Sequence, residues 1–405
     1  MRDFTELINK SNASYSDRYS EALLDELVHV GDPVADAAIA VLDEEAYDPD
    51  GGQLQRLRSL ADDGDPCAQA FFERALETPD WLDPQLLEQG QKLALAYTRH
   101  YGLSLTHSLF SGALFARATL VTGSTGRLGS NPGRRIQETG SFIAAILKPG
   151  GLEPGSLGFD TTLRVRLLHS SIRAWLARSA GFSEAYFGTP IDQTMQAMTL
   201  SLFDYLNLRS MVRLGLPLSD EDLRAHHHMW RYVGYLLGID EQLLTEDLDQ
   251  ERELWSALVA HQAFPELFGE NYLSLAVDTV DKLFGANGWA EGTLRSLFLF
   301  LSGAGWFGVA KSRQRDPRID LLWWLSVGVG TARSWIPGAS GLMESEGAAR
   351  FAEAERVART HGFGVKVELD DDDEQEVAWQ AMAAGVRARF AARQRRAGGT
   401  ERAGV

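Results

Sequence analysis

Apolar residues recur at helical spacing along most of the chain. The first stripe is broken by Gly31-Asp32-Pro33, and the rhythm then resumes several times. Later, Ser219 followed by Asp222 has the spacing of a capped helix start. No stretch shows a sustained alternation of apolar and polar residues, so the pattern predicts an all-α protein. The predicted helical segments are 23–30, 34–42, 54–60, 68–76, one opened by Pro79-Asp80-Trp81, and 86–101.

The domain organisation is predicted to be simple. Residues 1–20 form an N-terminal arm, residues 21–365 a single large helical domain, and residues 366–405 an acidic run with a C-terminal helix or tail. A short strand is conceivable over 365–369, but the acidic residues 370–374 would end it. The chain has no internal repeat and no composition break that would divide the helical domain.

Composition and charge exclude several classes of function. Hydrophobic residues make up 44% of the chain and ten of its residues are Trp, which is enough to fill a large core. The formal net charge of −17 would repel nucleic acids and anionic membrane surfaces. We therefore expect no nucleic-acid partner, and the sequence leaves the oligomeric state open.

The single cysteine and the N-terminus indicate the cellular setting. Cys67 alone allows no intrachain disulfide and no multi-thiolate metal site. Residues 1–20 lack the apolar core of a signal peptide. The most apolar later stretch, 297–310, is too short to span a bilayer. We expect a cytoplasmic protein without stable membrane insertion.

The segment 160–177 is predicted to be a helix that carries a buried histidine. Asp160 or Thr161 can cap its start. His169 lies on the helix's apolar stripe, which is formed by Val165, Leu168, Ile172 and Leu176. An imidazole in an apolar interior needs a partner. Both a metal ion and an ordinary hydrogen bond to a backbone carbonyl would satisfy it.

Two arginines flank this histidine. Arg166 and Arg173 lie three residues before and four residues after His169, so both can approach the same helix face. The propionates of a haem would account for the pair, because carboxylates bind guanidinium groups at the edge of the macrocycle. A pair of surface arginines is the alternative.

A second helix carries an arginine and a threonine on one apolar face. Arg135 and Thr139 are one turn apart, and Phe142 and Ile146 extend their stripe. Polar groups facing an interior are costly unless they bind something, and in an oxygen-activating pocket they could hold dioxygen or water. The structural alternative is an ion pair between Arg135 and Glu138 at the (i, i+3) spacing.

The third element has small residues at a regular spacing and three consecutive histidines. Trp230, Gly234 and Gly238 recur every four residues, which suggests close approach of another backbone or a flat ligand. The histidines 226–228 suggest a non-haem iron or zinc site. However, consecutive helical residues point about 100° apart, so all three cannot bind one ion without distortion.

These elements, in their order and spacing, resemble the catalytic domain of the rubber oxygenase (latex-clearing protein)/MpaB family, formerly a domain of unknown function. The resemblance covers about residues 20–345. It rests on the segments 31–36, 79–81, 125–128, 135–139, 165–173 and 230–238. It implies a globin-like helical core around a b-type haem, with His169 as iron ligand and with Arg166, Arg173, Trp230 and Gly234 close to the cofactor. Arg135, Thr139 and Glu138 would then be the catalytic residues of the distal side.

The sequence departs from the latex-clearing pattern at two distal positions. Glu138 stands where those enzymes have a lysine. Where they have a catalytic glutamate, an ungapped count back from Arg135 lands near Thr119, in the segment 115–120, which contains no acid. The resemblance therefore implies a haem oxygenase that uses dioxygen on an apolar, unsaturated molecule smaller than rubber. A non-catalytic binder of haem or another hydrophobic ligand and a helical interaction protein are the alternatives.

Overall fold

The computed structural model describes residues 6–42, 52–115, 117–119, 121, 132–178, 184–263, 300–301 and three single positions, 328, 345 and 349. The side chains of residues 99, 113, 132–138, 185 and 186 lie outside this description. Within these ranges the secondary structure is helical, and one isolated bridge pairs Phe115 with Ala263. This confirms the all-α prediction.

Thirteen α-helices are defined within the described ranges. They are α1 (Glu21–Leu27), α2 (Pro33–Ala40), α3 (Gly52–Asp62), α4 (Pro66–Leu76), α5 (Pro84–Ala96), α6 (Thr98–Ser111), α7 (Pro132–Leu147), α8 (Leu157–Arg178), α9 (Glu184–Phe187), α10 (Gln193–Ser201), α11 (Asn207–Arg213), α12 (Asp220–Leu236) and α13 (Leu248–Gln262). A π-helical turn, Leu202–Leu206, joins α10 to α11.

Capping residues set most helix starts. Asp32, Asp65 and Asp83 each accept hydrogen bonds from backbone amides in the first turn, and each is followed by a proline. Ser219 and Asp222 form the predicted capping box at the start of α12.

Two predicted helix boundaries were wrong. Pro79-Asp80-Trp81 does not open a helix but precedes one, because the cap that starts α5 is Asp83. The predicted segment 86–101 is divided between α5 and α6 at Tyr97, whose φ of −114° and ψ of 30° are not helical.

The start of α8 also differs from the prediction. The helix begins at Leu157, where the hydroxyl of Ser156 accepts a hydrogen bond from the amide of Phe159 (3.2 Å). Asp160 and Thr161 therefore lie inside the first turns and are not caps. Asp160 instead accepts a hydrogen bond from Arg58 (2.5 Å), and the Thr161 hydroxyl donates to the carbonyl oxygen of Leu157.

Helix pairs bury the core and bring the candidate site residues together. α5 packs against α12, α6 packs against α11, and α8 packs against both α2 and α7. The largest fully buried side chains include Trp230 on α12 and Trp255 on α13. The helix that carries His169 is thus held between an N-terminal helix and the helix that carries Arg135 and Thr139.

The N-terminal arm packs on the last described long helix. The Lys10 ammonium donates to the carbonyl oxygens of Val259 (3.3 Å) and Ala260 (2.5 Å), and Ser14 is hydrogen-bonded to Ser256. The predicted boundaries at residues 20 and 365 stay predictions, and residues 366–405 lie outside the described part. No helix in the described ranges is both long and apolar enough to cross a bilayer.

Close contact between α5 and α12 depends on Gly90. A Cβ atom at this buried position would lie 2.5 Å from the carbonyl oxygen of Ala225 and 2.9 Å from Cβ of Met229. We expect Gly90→Ala to lower the free energy of unfolding by about 1–3 kcal/mol, because backbone atoms cannot move aside cheaply. Chemical denaturation followed by circular dichroism measures this effect.

A matched control lies one helix further along the chain. Gly102 in α6 is exposed, and no atom lies within 4 Å of the place that a Cβ would take there. Gly102→Ala should therefore raise the stability by about 0.5–1 kcal/mol through helix propensity. Equal effects of the two substitutions would show that the α5–α12 contact is not as close as described.

Candidate functional site

His169 lies on a half-buried face of α8. Val165, Leu168 and Ile172, which the sequence predicts on the same stripe, are half-buried as well, and Leu176 is fully buried. The fully buried face of the helix is formed by neighbours such as Leu163 and Leu167. The predicted stripe therefore exists, but it borders the core. The Nδ1 atom of His169 is itself buried, so this part of the ring lies in the interior although the stripe as a whole is half-buried.

Arg166 and Arg173 are buried in ion pairs with two aspartates of the N-terminal part of the chain. Arg166 Nε and Nη2 donate to the two carboxylate oxygens of Asp32, at 2.6 and 3.0 Å. Arg173 Nε donates to Asp36 (2.9 Å), and its other nitrogens donate to the carbonyl oxygen of Ile191 and to the hydroxyl of Ser170. Both guanidinium groups are thus fixed by protein partners.

These pairs correct one of the two interpretations of the arginines. They are not a surface pair, since Arg166 and Arg173 are 3% and 4% exposed. Their predicted contact with haem propionates stays a prediction. Such a contact would require Asp32 and Asp36 to share the guanidinium groups or to give them up, which is costly for buried charges.

The arginine–threonine helix is confirmed as a helix and lies next to α8. Arg135 and Thr139 are one turn apart in α7, which places them on one face. Thr139 and Phe142 are half-buried, and Ile146 is fully buried. The side chains of Arg135 and Glu138 lie outside the described part, so neither their ion pair nor their catalytic roles are tested.

On α12, the described neighbours give Trp230 and Gly234 packing roles. The Trp230 indole N–H donates to the hydroxyl of Tyr101 (3.1 Å), and its ring stacks on Phe203 at 4.9 Å between centroids. A Cβ at Gly234 would lie 2.6 Å from Leu200. The close approach predicted at this glycine is therefore made by protein side chains, and contact with a cofactor stays a prediction.

Gly238 has a different reason to be glycine. Its φ of +78° is in the left-handed region that favours glycine, and it follows the C-cap of α12. A Cβ there would lie 2.4 Å from Asp32 Oδ2 and 2.6 Å from Arg166 Nε. The end of α12 thus approaches the buried ion pair that fixes α8.

The three consecutive histidines do not converge on one point, as the helical geometry predicts. His226 Nδ1 and His227 Nδ1 lie 3.1 and 2.6 Å from the two carboxylate oxygens of Asp204. His228 points elsewhere, where its Nε2 accepts a hydrogen bond from the amide of Asp83 (2.9 Å). Two of the three histidines therefore belong to one buried cluster.

Asp204 and Glu251, which the sequence analysis missed, complete this cluster. Glu251 accepts hydrogen bonds from the hydroxyls of Ser201 (2.6 Å) and Thr245 (2.5 Å), and His227 Nε2 lies 3.2 Å from the carbonyl oxygen of Thr245. Asp204, His227 and Glu251 each offer one potential ligand atom, and these three atoms lie within 4.8 Å of one another. We call Asp204, His226, His227 and Glu251 the buried carboxylate–histidine cluster.

The electrostatics of this cluster differ strongly from those of exposed groups. Burial raises the pKa of Glu251 to about 7, and the charge of Asp204 adds to that effect. Burial also opposes ionisation of Asp204, but the charge of His227 and hydrogen bonds from both histidines outweigh it and lower the pKa of Asp204 to about 2. The pKa of His227 is raised, because Asp204 outweighs the effect of burial.

A surface cavity of about 390 Å³ is lined by none of the predicted site residues. Charged and polar groups dominate its wall, so it does not fit an apolar substrate. Its lining residues are Arg18, Tyr19, Leu23, Trp81, Arg231, Glu241, Gln242, Leu244 and Glu246.

A family match covers the helices that carry the candidate residues. Residues 96–305, about half of the chain, match the sequence model of the ER-bound oxygenase mpaB/B'/rubber oxygenase catalytic domain. This chain belongs to that family. The matched part of this mpaB/rubber oxygenase member includes α7, α8, α12 and the buried carboxylate–histidine cluster. Family membership supports an oxygenase-type function.

A solved structure shares the fold of this mpaB/rubber oxygenase family member. It is the structure of latex clearing protein LCP in the closed state, with a TM-score of 0.56 and 18% sequence identity. The match covers 86% of this chain and 96% of that chain. At this identity the likeness shows the helical fold. Among curated proteins, none matches this chain.

Proposed function

We propose that this protein is a haem-b-dependent oxygenase that uses dioxygen on an apolar, unsaturated small molecule, for example one of isoprenoid type. The observation that carries the proposal is the position of His169 on α8, in a chain that belongs to a family of oxygenases. It stands among half-buried apolar residues of α8, and α8 packs against the helix that holds Arg135 and Thr139.

The residues of α8 fit a haem in two respects. An imidazole is the common axial ligand of b-type haem iron, and His169 is the histidine of this helix. Val165, Leu168 and Ile172 supply apolar surface beside it that is not fully used by the core. Arg166 and Arg173 fit less well as propionate partners, since Asp32 and Asp36 already bind them.

Each candidate residue has a separate task in this proposal. His169 would bind the iron. The haem, when bound, supplies the activation of dioxygen and the one-electron transfer that no amino-acid side chain provides. Arg135 and Thr139 would donate hydrogen bonds that orient dioxygen or water, because they share a face of α7. The carboxyl group of Glu138 would hold or pass on a proton.

The substrate is proposed to be smaller than the polymer that rubber oxygenases cleave. Glu138 replaces the lysine expected at the distal side. The count back from Arg135 lands near Thr119, which is buried at 3% exposure, and no acid stands there. A site without those two groups cannot use a lysine cap or a glutamate base at these positions. The chemistry is therefore a variation on that of the family.

The visible spectrum and oxygen uptake test the proposal together. Freshly purified protein should show a Soret band, and it should consume dioxygen when an unsaturated isoprenoid is added. A Soret band with no uptake on any unsaturated substrate would favour the non-catalytic binder. Colourless protein that takes up no added haem would contradict the proposal altogether.

Arg135→Ala separates binding of the cofactor from the chemistry. We expect the variant to keep its haem but to lose about 10²–10³-fold in oxygen uptake with substrate, which is typical of removing a hydrogen-bond donor from a reacting oxygen. Gln137→Ala, two residues further along the same helix, serves as the control and should retain the wild-type rate. Unchanged turnover of Arg135→Ala would remove Arg135 from the mechanism.

A further inference from the structure

The buried carboxylate–histidine cluster lies where three parts of the fold meet. Asp204 stands in the π-helical turn between α10 and α11, His227 in α12, and Glu251 in α13. All three residues are at most 4% exposed. π-Helical turns are rare overall but are often found at functional sites.

His227 has one ring nitrogen next to a backbone carbonyl and the other next to a carboxylate of the cluster. Its Nε2 lies 3.2 Å from the carbonyl oxygen of Thr245, which can accept a hydrogen bond and so supports a ring that is protonated at Nε2. Nδ1 then faces Asp204 Oδ2 at 2.6 Å. A ring protonated at Nδ1 donates a hydrogen bond to Asp204, whereas a neutral ring protonated at Nε2 turns a lone pair toward it that a metal ion can use.

A divalent metal ion would balance the charges of the cluster. Two carboxylates, Asp204 and Glu251, are buried together, and a proton on His227 would supply one positive charge. A divalent cation would neutralise both carboxylates and leave the histidines neutral. Paired carboxylates in a buried site are stable when they bind such an ion.

The groups around the three residues have the arrangement of a second coordination sphere. The Thr245 carbonyl orients His227, His226 contacts the other oxygen of Asp204, and the hydroxyls of Ser201 and Thr245 hold Glu251. Hydrogen bonds of this kind fix ligand orientation in metal sites. His226 itself is fully buried, and its Nε2 has no hydrogen-bond partner among the described residues.

The spacing also suits a transition metal. Bonds of roughly 2.0–2.2 Å from zinc to nitrogen and oxygen place neighbouring ligand atoms about 3–4 Å apart. The ligand atoms of Asp204, His227 and Glu251 all lie within 4.8 Å of one another, and the 2.6 Å separation between His227 Nδ1 and Asp204 Oδ2 would have to widen when a metal ion binds.

We propose that Asp204, His227 and Glu251 bind one divalent transition-metal ion of the zinc, manganese or iron(II) class, at a site separate from His169. Nitrogen and oxygen ligands select this class over calcium or magnesium. The enclosed position makes the ion structural, joining the π-helical turn, α12 and α13. The site does not depend on the proposed haem, because its ligands stand on other helices.

Metal analysis of protein expressed in the presence of zinc, or separately manganese, tests the proposal. Expression is preferred to later addition, because so buried a site would be filled while the chain folds. After removal of any affinity tag and passage over a chelating resin, we expect about one non-haem metal ion per chain. Haem iron is measured independently from the pyridine haemochrome spectrum and subtracted.

Variants and a matched histidine control assign the ion to the cluster. His227→Gln and Glu251→Gln should each lower the metal content at least five-fold, whereas His228→Gln, whose side chain contacts Asp83 and not the cluster, should keep it. His169→Ala should lose haem and keep the non-haem ion. This result separates failure of the present proposal from failure of the proposed function.

The melting temperature of Glu251→Gln distinguishes a metal ion from protons even when a variant folds poorly. If the ion is present, Glu251→Gln lowers the melting temperature, because a ligand is lost. If the cluster holds only protons, the same change removes repulsion between two carboxylates and leaves the melting temperature equal or higher. Stable wild-type protein with less than a tenth of an ion per chain, or such a rise for Glu251→Gln, would overturn the proposal.

Discussion

His169→Ala is expected to abolish the Soret band while leaving the far-ultraviolet circular dichroism of the wild type. The imidazole is the one iron ligand that the α8 helix offers in this proposal, and a methyl group offers no lone pair. Because His169 is half-buried and lies outside the fully packed face of α8, its removal should disturb the fold little. The haem content, measured as pyridine haemochrome per chain, should fall at least ten-fold.

Ser171→Ala is a suitable control for this experiment. Ser171 is also half-buried on α8, and its hydroxyl donates to the carbonyl oxygen of Leu167 within the helix. That variant should retain a full complement of haem. Addition of imidazole to His169→Ala should restore part of the Soret band, since the free ligand can occupy the vacated position. Full haem in His169→Ala would refute the assignment of the iron ligand.

Asp32→Asn is expected to lower the free energy of unfolding more than any other single substitution proposed for this protein. The carboxylate of Asp32 is the partner of Arg166 in a pair that is almost completely buried. Asparagine retains the shape and can still cap α2, but it removes the negative charge and leaves a buried guanidinium group. Breaking buried pairs in this way costs about 3–5 kcal/mol of unfolding free energy. Denaturant titration followed by circular dichroism measures it.

Two comparisons show whether burial of the charge is the cause. Glu88→Gln removes the partner of Lys92 in an exposed pair on α5 and should cost less than about 1 kcal/mol. Combining Asp32→Asn with Arg166→Met should recover part of the loss, since no unpaired charge then remains. A small effect of Asp32→Asn, similar to that of Glu88→Gln, would contradict the buried pair.

Local sequence signals predicted those parts of the fold that depend on nearby residues. The Ser219–Asp222 capping box was found because both partners lie within one turn. The start of α8 was missed because Ser156, the residue that caps it, precedes the predicted helix by several positions. In the same way, the periodicity placed His169 on an apolar stripe but could not show how far that stripe enters the core.

Long-range pairings were beyond the sequence analysis. Arg166 and Asp32 are 134 residues apart, so no spacing rule connects them. Asp204 was missed because the π-helical turn that directs it inward has no clear pattern in sequence. Glu251 stands in the first turn of α13, where an acidic residue ordinarily stabilises the helix dipole from the surface. Only the packing of α12 against the π-helical turn and α13 brings them together.

The ion pairs between α2 and α8 set a lower limit on how short the chain can be made. The family match begins at residue 96, whereas Asp32 and Asp36 precede it by about sixty residues. A fragment trimmed to the matched region would leave two guanidinium groups inside the protein with their counterions deleted. Such a fragment should aggregate or unfold when expressed. Any attempt to isolate the oxygenase core must therefore retain the segment from about residue 20 onward.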